Sequence, residues 1–177
     1  MPIISRETSA LLAVDFQSRL MPAIDDAAAV LTNARRLLDA AETFRIPIIF
    51  TEQNADGLGN TMSELRSDAG SVAPKMTFDA CRAPGFAEML TAGTDIIVTG
   101  CEAHVCVLQT VMGLLAAGRR VFVVRDALGS RRMESKETAI RRMEKNGAEI
   151  VTAEMVIFEW LGTAEDPRLR NVIALVR

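Results

Sequence analysis

Three side chains able to do chemistry stand near the carboxyl ends of apolar runs in this sequence. They are Asp15 in residues 10–16 (ALLAVDF), Lys75 just after Pro74, and Cys106 beyond the run that ends Val98-Thr99-Gly100. The spacing puts Cys106 in the first turn of a helix, where backbone N–H groups and the helix dipole favour a thiolate. The same N–H groups can stabilise an oxyanion on a carbonyl that the sulfur attacks. Cysteine also serves as a small buried hydrophobe, and position alone leaves both roles open for Cys106. Asp15 interrupts an apolar strand, so it can take a proton from a nearby thiol or pair with a cation. Lys75 can hold such a carboxylate and steady developing charge, or it can be a solvated lysine beside a loop. Cys101, at a strand end, and Cys81, in a loop, read as structural cysteines.

The rarest residues exclude most other chemistry. The chain has one histidine, His104, and three cysteines among 177 residues. One histidine rules out an intrachain site built from two, including the usual zinc triads. Three cysteines without C-x-x-C spacing rule out a disulfide framework or zinc ribbon. Net charge is −3 with both signs interspersed, so there is no electrostatic footprint for nucleic acid or an anionic membrane. The N-terminal residues 1–7 carry no apolar signal core, and a reduced cytoplasmic setting is the expectation. No cofactor is called for; a small-molecule substrate is.

The elements that must carry these residues follow from the pattern. Residues 10–16, 46–51, 95–100, 120–126 and 149–152 are short runs apolar on both faces, which suits parallel strands covered on both sides. Residues 75–78 (KMTF) make a short sixth strand. Helical spacing appears over 27–44, 85–92, 103–117 and 135–146, with Val30, Leu31, Ala34, Leu37, Leu38 and Ala41 forming one apolar stripe. Gly118 and Gly147 stand at helix stops. Residues 52–73 lack periodicity and read as a loop able to cover a site.

Alternation of strand and helix implies right-handed β-α-β units. The expected architecture is a three-layer α/β/α, Rossmann-like sandwich with a mostly parallel six-stranded sheet, order 3-2-1-4-5-6, in a single domain over 1–177. In such sheets ligands bind outside the carboxyl ends of the strands, which is where Asp15, Lys75 and Cys106 fall. The apolar segment 167–177 either closes the domain or packs on another subunit.

Four motifs in order carry a family resemblance. Leu12-Ala13-Val14-Asp15-Phe16-Gln17 resembles a V-D-x-Q strand end, and Pro74-Lys75-Met76-Thr77-Phe78 a lysine strand. Thr99-Gly100-Cys101-Glu102-Ala103-His104-Val105-Cys106-Val107 resembles a nucleophile segment, and Val124-Arg125-Asp126-Ala127 a V-x-D-A end. Together they resemble the isochorismatase-like cysteine hydrolases, closest to the branch of isochorismatase domain-containing proteins. The resemblance implies Asp15 as base, Lys75 as its partner and Cys106 as nucleophile in metal-independent hydrolysis of a small amide through an acyl-enzyme. It also implies a homo-oligomer, and a cis peptide at Cys101–Glu102 that turns N–H groups around Ala103 toward the substrate oxygen. Phe16, Gln17, Phe50, Phe78 and His104 are the candidate pocket residues.

Departures from the pattern narrow the activity. The nicotinamidases of this superfamily carry a D-x-H metal motif after the second strand; Thr51-Glu52-Gln53-Asn54 has no histidine there. Isochorismatases that cleave a vinyl ether usually lack the nucleophilic cysteine that Cys106 would supply. Two alternatives of other kinds stand beside the hydrolase. One is a scaffold protein that keeps the fold without using it; the other is a redox sensor pairing Cys101 with Cys106.

Overall fold

Six parallel strands set the frame, and their apolar runs explain why they sit in the middle. The computed structural model describes residues 3–176; Met1, Pro2 and Arg177, which end the segments read above, lie outside them. The strands are β1 (Ser9–Val14), β2 (Ile48–Gln53), β3 (Gly70–Lys75), β4 (Asp95–Cys101), β5 (Val121–Gly129) and β6 (Glu149–Val151). They pair in the order β3-β2-β1-β4-β5-β6, every pairing parallel. That is the expected order 3-2-1-4-5-6.

Alternation along β1 divides the core. Leu11 and Ala13 face one cluster, with Leu37 and Leu38 of helix α1 (Ala27–Phe44) and Trp160 of α5 (Ala153–Leu161). Leu12 and Val14 face the other, with Val111 of α3 (Leu108–Ala116) and Ile140 of α4 (Met133–Lys145). A strand with both faces covered has no polar alternation to show, which is why it reads as a continuous apolar run. The C-terminal helix α6 (Leu169–Val176) closes the first layer by burying Val172.

Several expected elements differ, each for a local reason. The third strand is 70–75 rather than 75–78; Pro74 is tolerated because β3 is an edge strand with no neighbour on one side. The segment 52–73 therefore holds the end of β2, the short helix α2 (Ala55–Leu58) and most of β3 rather than one loop. Residues 85–92 form only a 3₁₀ turn at Ala87–Met89. Residues 103–117 divide into a π turn, Ala103–Val107, and then α3. Helix α5 has no counterpart in the expectation: its apolar residues run nearly all round, so no 3.6-residue stripe marks it. Among the described residues, no helix is long and apolar enough to cross a membrane.

Candidate active site

The site is built where three strands end side by side. Asp15 follows β1 directly, and its backbone N–H donates to the Thr51 carbonyl of β2 at 3.1 Å. It sits at φ 51°, a left-handed conformation uncommon outside glycine, and this turns the chain sharply off the strand. Lys75 is the last residue of β3 and is paired with Gln53, the last of β2. Strand register therefore delivers acid and amine to one another across the β2 end.

The contacts are short and enclosed. Lys75 Nζ lies 2.6 Å from Asp15 Oδ2, and both side chains are wholly buried. The other carboxylate oxygen, Oδ1, accepts the Thr51 hydroxyl at 2.6 Å. Lys75 also donates to Gln53 Oε1 at 3.0 Å, while Gln53 Nε2 donates to the Met76 carbonyl at 2.8 Å. Gln17 fixes this second strand end: its amide donates to the Gln53 carbonyl at 3.0 Å and accepts from the Gln53 N–H at 2.8 Å. A further bond from Gln17 Nε2 to the Gly59 carbonyl, 2.5 Å, ties in the loop after α2. Gln17 is thus a buried brace rather than a pocket wall.

Cys106 lies in the π turn, 6 % exposed. Burial first, and the Asp15 carboxylate second, push its thiol up to about 12, while Lys75 acts in the opposite sense. Desolvation and a neighbouring anion work against the thiolate that a place at the start of a helix favours. Asp15 and Lys75 nevertheless both act on the thiol, in opposite senses. The structure brings these three residues together.

The segment from Cys101 to Cys106 is anchored on its far side. The Cys101–Glu102 peptide bond is cis. Glu102 is buried, and its Oε2 accepts from both the backbone N–H and Nε of Arg131, each at 3.0 Å. Ala103 is fully buried. Cys101 belongs to the opposite core cluster from Cys106, packed so tightly under Gly129 that a Cβ there would meet its Sγ at 2.7 Å. The two sulfurs face different layers, which removes the geometric basis for a redox pair.

The expected pocket residues scatter. Phe16 and Phe50 are buried in the cluster behind the sheet, where large apolar side chains lose most water contact. Phe78 is half exposed beyond β3. His104 is half-buried with Nδ1 3.1 Å from Ser130 Oγ. Two openings lie near the carboxyl ends of the strands. One, of about 360 Å³, is lined by Glu52, Asn54, Asp56, Lys75, Met76 and Pro84; the other, also about 360 Å³, by His104, Arg131, Arg132 and Ser135. Sequence reading missed Thr51 and Gln53; alternate polar residues at a strand end carry no signal until the register sets them beside Asp15 and Lys75.

A family profile described as the isochorismatase domain matches residues 9–155 of this chain. The chain belongs to the isochorismatase domain family. Isochorismatase domain-containing protein 1 of Salmo salar is 32% identical over 173 residues, covering 96% of this chain and 61% of that protein. This chain thus spans less than two thirds of that relative. The structure of MAR1 ribonuclease from Caenorhabditis elegans superposes with TM-score 0.94 at 35% identity, covering 99% of this chain and 92% of that one. YcaC of Pseudomonas aeruginosa, solved with hexane-2,5-diol and covalent acrylamide, gives 0.91 at 26%, with 98% and 90% covered. YcaC of Escherichia coli, an octameric hydrolase of unknown specificity, gives 0.86 at 28%, with 99% and 88% covered. The isochorismatase-like hydrolase fold is therefore common to the domain and its neighbours.

Proposed function

We propose that the domain is a metal-independent cysteine hydrolase that cleaves the C–N bond of a small amide or related acyl compound. The observation that carries this reading is the buried Asp15–Lys75 ion pair coupled to the Cys106 thiol. A protonated sulfur beside a fixed carboxylate suits proton transfer during attack rather than before it. In the first step Asp15 takes the thiol proton as sulfur adds to the substrate carbonyl. Lys75 and Thr51 keep the carboxylate oriented while its charge changes. The proton then passes to the leaving nitrogen, the C–N bond breaks, and amine departs from a thioester. Water, deprotonated by Asp15, releases the acid and returns the proton to sulfur.

Several features support the reading over its rivals. The covalent acrylamide of the Pseudomonas aeruginosa neighbour fits a fold that presents a reactive nucleophile, a role that falls to Cys106 in this reading. The residues that end β2 suit bracing rather than metal binding: Gln53 holds Lys75, and Glu52 Oε1 accepts from Thr61 N and Oγ1 at 2.7 and 2.8 Å. A wholly buried ion pair costs desolvation free energy, and a role in turnover gives Asp15 and Lys75 a reason to carry that cost. The octameric Escherichia coli neighbour supports a homo-oligomer for this chain. The reading is tested by a panel of carbamoyl, formyl and nicotinamide-like amides on wild type and Cys106→Ala. Turnover should fall by at least about 10³-fold in the variant; undiminished hydrolysis would falsify the nucleophile assignment.

A further inference from the structure

One charged pair joins the end of β4 to the loop before α4 and takes no part in the proposed hydrolysis. Glu102 Oε2 accepts from the backbone N–H and from Nε of Arg131, each at 3.0 Å. The Glu102 side chain is 9 % exposed and that of Arg131 61 %, so an almost enclosed carboxylate is reached by a cation from the surface. Sheet pairing brings the two together. Val98 of β4 pairs with Val123 of β5, yet Gly100 pairs with Leu128, so residues 124–127 bulge out against Thr99 alone. Bulges of this kind re-aim the residues that follow them. Here β5 rejoins β4 through Leu128–Gly129 against Gly100–Cys101, which sets Ser130 and Arg131 beside the residues that follow Cys101. Gly129 permits the approach, since a Cβ there would meet Ile24 Cγ2 at 2.5 Å and Cys101 Sγ at 2.7 Å.

Glu102 also holds the turn that carries Cys106. Its carbonyl accepts the N–H of Val105 at 3.0 Å and that of Val107 at 3.2 Å, the residues on either side of the cysteine. The second of these spans five residues and gives the turn its π form. The loop after β5 grips the same turn again at His104, whose Nδ1 lies 3.1 Å from Oγ of the buried Ser130. One residue therefore ties the turn by its carbonyl and the loop by its carboxylate. Two charge-assisted bonds on that carboxylate restrict how far the residue can rotate. Burial is the first cause that pushes the Cys106 thiol up, and that burial lasts only while the turn stays packed.

We infer that Glu102 is a positioning residue: clamped by Arg131, it fixes the π turn so that Cys106 stays enclosed and facing Asp15. The consequence for turnover rests on the proposed hydrolase reading, whereas the consequence for the thiol does not.

The test compares wild type with Glu102→Ala, Glu102→Gln and Arg131→Ala. The control is Glu137→Ala, which removes the exposed Arg125–Glu137 pair between β5 and α4. Iodoacetamide labelling of each cysteine at pH 8 is followed by peptide mass mapping, and kcat and KM are measured on the amide panel. Glu102→Ala should label Cys106 about threefold faster or more, because a loosened turn exposes the thiol, while Cys81 and Cys101 keep their rates. Its kcat should fall by about 10–100-fold with KM little changed, as misplacement of a reacting group gives. Arg131→Ala, which leaves the backbone N–H bond to Glu102 in place, should move both readouts the same way but less. Glu102→Gln, which keeps an acceptor oxygen, should recover most of the loss, and Glu137→Ala should match wild type. Arg131 lies at the surface, so its variant decides the matter even where Glu102→Ala does not fold. Cys106 labelling unchanged in Arg131→Ala, faster labelling of all three cysteines together, or an effect confined to KM would overturn the positioning role. Faster labelling of Cys106 alone, in a protein that turns over no amide of the panel, would keep that role and sink the hydrolase reading.

Discussion

Lys75 Nζ meets Asp15 Oδ2 at 2.6 Å with both side chains shut off from water. An ion pair this buried behaves asymmetrically: losing one partner strands a charge, whereas losing both strands none. Asp15→Asn or Lys75→Met alone should lower unfolding free energy by about 3–5 kcal/mol. The double variant Asp15→Leu/Lys75→Met should recover most of that loss while remaining inactive. Urea unfolding of the three proteins decides it. A double variant as unstable as the worse single would show that the pair itself stabilises the fold.

The same carboxylate also bears on Cys106. Burial does most to raise its thiol, Asp15 adds to that and Lys75 opposes it, so removing the negative charge shifts the balance toward thiolate. Alkylation of wild-type Cys106 by iodoacetamide should be slow at pH 8 and climb with pH toward 12. In Asp15→Asn it should be faster at pH 8, even though turnover is lost with the base. Cys81, also pushed up to about 12 chiefly by burial, and the fully buried Cys101 should label slowly in both proteins. Peptide mass mapping of each labelled cysteine separates the three. An alkylation rate at Cys106 already flat above pH 7 would point to a preformed thiolate and remove the need for Asp15 as base.

Gln53 gives Lys75 its second acceptor and ties that lysine to the Met76 carbonyl. Gln53→Leu removes both bonds inside a buried network, at a stability cost of about 1–3 kcal/mol. Its kinetic signature should be a fall in kcat of about tenfold with little change in KM, because Gln53 orients the lysine rather than touching substrate. A change confined to KM would place Gln53 in the substrate pocket instead.

Much of this arrangement is legible in the amino-acid sequence. Asp15 stands out because a carboxylate closes a run of residues that otherwise belongs in a core, and Cys106 because a thiol follows a strand end into a helix. Sheet order follows from alternating elements and the family resemblance. Thr51 and Gln53 are not legible, since only the parallel register of β2 with β1 and β3 tells which polar residue meets which charge. Gln17 is visible but misleading: in sequence it adjoins the acid, whereas in space it braces the β2 end. Phe16 and Phe50 show the same ambiguity from the apolar side, because a phenylalanine near a site fills the core more often than it faces a ligand. The resting state of Cys106 is hidden too, because local position reports the dipole and says nothing of burial.

Gly100 shows how closely β1 and β4 must approach to set Asp15 and the Cys101–Cys106 segment together. A Cβ at Gly100 would lie 2.2 Å from the Val14 carbonyl oxygen and 2.7 Å from Val14 Cβ, at a φ of 140° that side chains rarely adopt. The obstacle is backbone one residue before Asp15, so no rotamer change relieves it. Gly100→Ala should cost about 2–4 kcal/mol, and it should lower kcat even where the protein remains folded, because the strain displaces Asp15 from Cys106. Gly118 provides the comparison: it also has positive φ, 73°, but nothing lies within 4 Å of its Cβ position. Gly118→Ala should cost only about 1 kcal/mol through backbone conformation and leave kcat unchanged. Thermal unfolding beside amidase turnover for both variants separates close approach from backbone strain; equal losses in the two would mean that the contact with Val14 does not position the site.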